Sequence, residues 1–89
     1  MNKHFTIRVF GQVQGIFFRA STQKEAKKLN LTGFTKNEPD GSVHIEAEGA
    51  PEDLNKFINW CEQGPQWAKV EKVDVEEKPV RSYSEFEIF

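Results

Sequence analysis

A bend with glycine at both ends separates a strand-like run from a helix-like run: Gly11-Gln12-Val13-Gln14-Gly15-Ile16-Phe17-Phe18-Arg19. This junction constrains the chain more than any other stretch. Glycines at either end of a five-residue bend let the backbone take φ > 0 and turn its N–H groups inward, while a following helix adds its positive N-terminal end. Arg19 contributes a rigid fork that grips two oxygens at once and stays charged at any working pH. Backbone donors plus one guanidinium make a phosphate cradle. The rest of the chain has to hold this bend still and bring a polar partner to the bound anion.

A chain of 89 residues suffices for one core with no second lobe, so one domain over residues 1–89 is expected. Lys+Arg 12 against Asp+Glu 14 leaves a net charge of −2, which provides no field to draw in nucleic acid or anionic lipid. Any anion is therefore held locally. The single cysteine, Cys61, cannot form an internal disulfide. No apolar run approaches the ~20 residues of a membrane span, and Thr6 and Arg8 interrupt any signal-peptide core near the start. These features fit a cytoplasmic chain.

Residues 4–10 alternate, with Phe5, Ile7 and Val9 on one side and His4, Thr6 and Arg8 on the other, as in a half-buried strand. Phe18, Thr22, Ala26 and Leu29 then recur at helical steps opposite Lys24, Glu25, Lys27 and Lys28, with Arg19 in the first turn. Asn30 is a candidate left-handed cap, and Gly33 breaks the pattern before a short strand at residues 34–37. Glu38-Pro39-Asp40-Gly41 has the chemistry of a hairpin turn. The returning strand places Val43, Ile45 and Ala47 on one face and His44, Glu46 and Glu48 on the other. Pro51 with Glu52 and Asp53 opens a second helix, whose apolar stripe is Leu54, Phe57, Ile58 and Cys61 and whose stop is Gly64-Pro65. A fourth strand covers about residues 68–77. Its apolar set changes phase between Ala68/Val70 and Val73/Val75, which predicts a bulge near Glu71-Lys72. Phe86 and Ile88 suggest a short terminal strand.

The order β-α-β-β-α-β with an added strand predicts an α+β, ferredoxin-like sandwich, two helices on one face of an antiparallel sheet. In that topology strand three lies between strands one and two, so the ends of strands one and two share an edge. Arg19 and Asn37 then meet there, about two strand spacings (~10 Å) apart. Asparagine carries a donor, an acceptor and no charge, so it can hold a water without repelling an anion.

With these residues placed, the chain resembles the acylphosphatases, small hydrolases that cleave the carboxyl–phosphate bond of acyl phosphates. The segment from Gly11 to Arg19 is similar to the family's glycine-valine-glutamine-glycine loop ending in phenylalanine-arginine. Gly33-Phe34-Thr35-Lys36-Asn37 with Asp40-Gly41 resembles its second motif, and Gly64-Pro65 with Ala68 and Val70 the segment after its second helix. Ile16 and Phe34 stand where the family often has valine and tryptophan, with bulk preserved. The resemblance implies a phosphate-binding loop of Gln14, Gly15, Ile16, Phe17, Phe18 and Arg19, with Arg19 and Asn37 catalytic and Asn37 orienting the attacking water. It also implies a small-molecule acyl phosphate substrate, no cofactor, no metal and no phosphoenzyme.

Simpler readings compete with these. Arg19 taken alone reads as a solvated first-turn arginine, although helix dipoles disfavour cations there. Asn37 taken alone reads as a turn residue. Gln12 and Gln14 read as exposed loop side chains. Cys61 reads as a packed thiol rather than a nucleophile. His4 and His44 start strands of opposite direction and do not readily share a metal. The open sheet face suggests RNA binding, but its third strand offers glutamates where aromatic and basic residues are needed, so neither a nucleic acid nor a membrane partner is expected. A rival with the same fold is a non-catalytic phosphate- or anion-binding module; Asn37 beside Arg19 favours hydrolysis. A monomer is the default.

Overall fold

The structure, a computed structural model, describes residues 1–15 and 17–89. The elements are β1 (Lys3–Gln12), α1 (Phe18–Lys28), β2 (Thr32–Asn37), β3 (Val43–Gly49), α2 (Pro51–Gln63), β4 (Lys69–Lys78) and β5 (Phe86–Ile88). They form one five-stranded sheet in the order β4-β1-β3-β2-β5. As the connectivity requires, β3 lies antiparallel between β1 and β2. The β1 and β2 strands therefore run the same way. Strand β5 pairs parallel with β2, so the sheet is mixed rather than purely antiparallel.

Side-chain alternation determines which face is buried. Ile7 and Val9 of β1 and Val43, Ile45 and Ala47 of β3 are fully buried, and they meet Phe18 and Ala26 of α1 and Leu54, Phe57 and Cys61 of α2 in one apolar cluster. Pro51 opens α2 with Glu52 and Asp53 in its first turn, and Gly64 caps its end. Asn30 takes the expected left-handed conformation after α1, at φ 58°.

Three local expectations are revised. Strand β1 runs through Gly11 to Gln12, so Gly11 belongs to the sheet and not to the bend. Its Cα lies so near β4 that an added Cβ would sit 2.1 Å from the Lys69 carbonyl oxygen. Strand β2 starts at Thr32, because Thr32 and Gly33 still pair with Glu48 and Ala47; Gly33 is thus inside the strand rather than a break before it. The sheet face away from the helices is not wholly open. His4 and Glu48 are buried on it, under a segment between β4 and β5 whose Arg81 and Tyr83 N–H groups donate to the Glu48 carboxylate.

The phase change in β4 is the bulge its pattern predicts. Phe10 pairs with Lys72 and Gly11 with Val70, leaving Glu71 as the extra residue. Without it, Val70 and Val73 could not both pack against the core.

Candidate active site

Where β1 hands over to α1, Phe17 occupies the N-cap with φ 61° and ψ 23°, and its side chain makes no capping hydrogen bond. The helix begins at Phe18, and its bond from the Ser21 N–H to the Phe17 carbonyl spans 2.9 Å. The first-turn N–H groups precede the intrahelical ladder, and no acidic side chain stands in that turn to meet them. Among the described residues, this positive helix end therefore has no acidic side chain in its first turn to offset it.

The helix end opens onto a cavity of about 310 Å³ lined by Val13, Gly15, Phe17, Phe18, Arg19, Ala20, Asn37 and Ile88. Arg19 is the only charged side chain among the described residues that line it. Asn37 reaches it as the last residue of β2, so α1 and β2 bring Arg19 and Asn37 to one cavity. Of the residues named from the sequence, Gly15, Phe17, Phe18, Arg19 and Asn37 all line this space. Phe17 is exposed and Phe18 buried, the first facing solvent at the cavity mouth and the second anchoring the helix in the core. Ile16 lies outside the described residues.

Gln14 is not the exposed loop side chain expected of it. Its side chain is half-buried, and its Nε2 donates to the main-chain oxygens of Glu38, at 2.9 Å, and Ser42, at 2.8 Å. These two carbonyls flank the turn that follows Asn37. Gln12, by contrast, is exposed at the end of β1.

The β5 end also contributes, which sequence reasoning did not anticipate. Arg19 Nη1 donates to the main-chain oxygen of Phe89 at 2.6 Å, and the Phe89 N–H donates to the Thr35 carbonyl at 2.9 Å. The guanidinium is thereby tied to the strand that carries Asn37. A hint lay in the alternation of Phe86 and Ile88, but their parallel register on β2, Thr35 opposite Ile88, depends on the folded sheet.

Cys61 is buried in the core, where loss of solvation first, and the charges of Glu25 and Glu62 after it, push its thiol far above the usual range. It is an inert packing group. His4 and His44 do start β1 and β3 at separated register positions, yet both rings reach the carboxylate of Glu46 between them. Among the described residues no group of three or more His, Cys, Asp or Glu is placed to hold a metal.

The acylphosphatase family model matches residues 5–88. An acylphosphatase of Marinobacter nauticus is 48% identical over 71 residues, 80% of this chain and 77% of that protein. One from Methylococcus capsulatus is 40% identical over 87 residues, 97% of this chain and 95% of that protein. Among solved structures, an acylphosphatase from Coxiella burnetii superposes with a TM-score of 0.96 at 38% identity, covering 99% of this chain and 93% of that one.

Proposed function

The chain belongs to the acylphosphatase family, and from that premise we propose how its residues divide the work of acyl phosphate hydrolysis. Arg19 and the N–H groups of the bend and first helical turn hold the phosphoryl oxygens, and the Asn37 side-chain amide orients the attacking water. The observation that carries this reading is the cavity itself, where a helix N-terminus, one arginine and one asparagine converge and, among the described residues, no lining side chain is acidic.

In the reaction a water oxygen bonds to phosphorus while the bond from phosphorus to the acyl oxygen breaks. The carboxylate leaves with the bonding pair. The proton released by the water passes to a non-bridging phosphate oxygen and then to solvent. So sparse a site is adequate because a carboxylate is already a good leaving group. The transition state is loose, with its charge spread over the equatorial oxygens, where the guanidinium and N–H donors act. The tie from Arg19 to Phe89 pre-positions the fork and limits the conformational freedom lost on binding. Phe17 and Ile88 at the cavity wall face the acyl group.

This chemistry asks for no metal, and the reading includes metal-independent turnover by a monomer. A cytoplasmic location suits a chain whose single cysteine has no internal partner; among the described residues no helix is long and apolar enough to cross a membrane.

Hydrolysis of benzoyl phosphate in excess EDTA tests the assignment. Turnover by the unaltered chain should persist, and Arg19→Ala and Asn37→Ala should each lower kcat/KM by ~10²-fold or more, the scale for one transition-state donor. Arg19→Lys should recover little, since an ammonium lacks the planar fork. Near-normal rates in either alanine variant would remove that residue from the mechanism, and loss of the unaltered activity in EDTA would overturn metal independence.

A further inference from the structure

We propose that Gln14 is a positioning residue: its side chain clips the phosphate bend to the β2–β3 turn and so sets the distance between the bound phosphoryl group and the water on Asn37. The inference rests on the roles given above to the bend and to Asn37. It concerns the side chain of Gln14, whose amide is engaged by the β2–β3 turn and does not line the cavity.

The two halves of the site belong to separate segments. The phosphate side sits on the link between β1 and α1, and the water side on the last residue of β2. Asn37 is followed directly by a turn that closes on itself: the Glu38 N–H donates to the Ser42 carbonyl at 2.9 Å, and the Gly41 N–H to the Glu38 carbonyl at 3.1 Å. Asp40 stiffens the same turn by accepting from the Ser42 N–H at 2.9 Å and the Ser42 hydroxyl at 2.6 Å. The turn is therefore a rigid block attached to Asn37.

Gln14 binds that block at two points. One amide nitrogen carries two hydrogens, and they go to the Glu38 and Ser42 carbonyls, residues 24 and 28 positions away in sequence. Both carbonyls already accept from the turn's own N–H groups and use their second lone pairs for Gln14. On each side the clip falls one residue from the cavity wall, since Gln14 adjoins Gly15 and Glu38 adjoins Asn37. A two-point bond between the neighbours of the two reacting halves leaves little room for relative displacement. Near-attack geometry is sensitive at this scale, a shift of about 1 Å costing up to ~10²-fold in rate.

The test uses Gln14→Met, which keeps length and bulk and removes both donors. Steady-state hydrolysis of benzoyl phosphate is measured with inhibition by inorganic phosphate, alone and combined with Asn37→Ala. The clip predicts a fall in kcat of ~10-fold, with KM and the phosphate inhibition constant changed less than threefold. In the Asn37→Ala background, where no water is left to position, Gln14→Met should cost almost nothing further. Gln14→His, which retains one donor, should recover part of kcat, and its kcat relative to the unaltered chain serves as the test if the methionine variant folds poorly. An unchanged kcat in folded Gln14→Met, losses that multiply in the double variant, or a histidine variant no better than methionine would each overturn the proposal. If Asn37→Ala itself kept full activity, the water-positioning role and the clip would fall together, whereas a disabled Asn37→Ala beside a fully active Gln14→Met sinks the clip alone.

Discussion

Gly11 and Gly15 both hold positive φ, at 129° and 76°, for different physical reasons. At Gly11 the obstacle is another strand, since a methyl group would meet the Lys69 carbonyl oxygen at 2.1 Å and the Glu71 nitrogen at 2.9 Å, both main-chain atoms that cannot yield cheaply. At Gly15 an added Cβ has nothing within 4 Å, and only the backbone conformation resists substitution. Gly11→Ala is thus expected to destabilise by ~3 kcal/mol or more, through overpacking at the bulge. Gly15→Ala should cost ~1–2 kcal/mol, the strain of a left-handed residue with a Cβ. Urea unfolding of both variants checks the order, and a larger loss at Gly15 would contradict it. Read in sequence alone, the two glycines look like the matched ends of one bend. Only the strand pairing reveals that the first belongs to the sheet. The same limit hid Gln14, whose partners are two main-chain oxygens beyond the reach of any local pattern. That Arg19 and Asn37 share one cavity was legible because residue type and topology pointed to one place.

Among the elements, β1 and β3 show how alternation can be read correctly and still mislead about burial. The pattern puts His4, Thr6, Glu46 and Glu48 on the face away from the helices, and they are there, but as a hydrogen-bonded cluster rather than a solvated surface. His4 Nδ1 lies 2.7 Å from Glu48 Oε2, its Nε2 contacts Glu46, and the Thr6 hydroxyl donates to Glu46 at 2.8 Å. What covers the cluster is the irregular segment between β4 and β5, which has no periodicity to read. By contrast, the bulge in β4 was legible because Glu71 leaves a phase change in the apolar pattern. The cluster has a consequence for pH. Burial alone would raise both carboxyls, but bonds from His4, Thr6 and His44 to Glu46, and from the Arg81 N–H, His4 and the Tyr83 N–H to Glu48, outweigh it and hold both below the usual range. Folded values below the unfolded ones mean that the unfolded chain takes up protons first as pH falls. The stability the pair supplies is full above the ordinary glutamate value of about 4.3 and is lost as pH drops through the folded values. Urea midpoints measured from neutral to acid pH should fall across that window, and Glu48→Gln should be less stable at neutral pH with a shallower acid slope. Parallel curves for the two proteins would show that Glu48 has no part in the acid transition.

At the scale of the whole molecule, the proposed monomer requires that neither edge of the sheet, β4 nor β5, recruits a second copy. One edge is β5, three residues long and too short to template another strand. The other is β4, ten residues long, where an exposed ladder of unpaired N–H and C=O groups invites a second copy. Its sequence Lys69-Val70-Glu71-Lys72-Val73-Asp74-Val75-Glu76-Glu77-Lys78 spaces charge along almost its full length, and the bulge at Glu71 interrupts the ladder near one end. A partner strand pairing there would have to bring these charges together and strip their water. Sedimentation equilibrium should therefore return 10.3 kDa over a wide concentration range. Replacing Lys72, Asp74 and Glu76 together by threonine keeps strand propensity while removing the charges, and this variant should associate as concentration rises. A dimer of the unaltered chain would overturn the monomer proposal. A threonine variant that stayed monomeric would instead assign edge protection to the bulge and twist, leaving the charges to solubility alone. Because the cavity lies at the opposite side of β1 from that edge, between α1 and the end of β2, association through β4 should leave benzoyl phosphate turnover per chain unchanged.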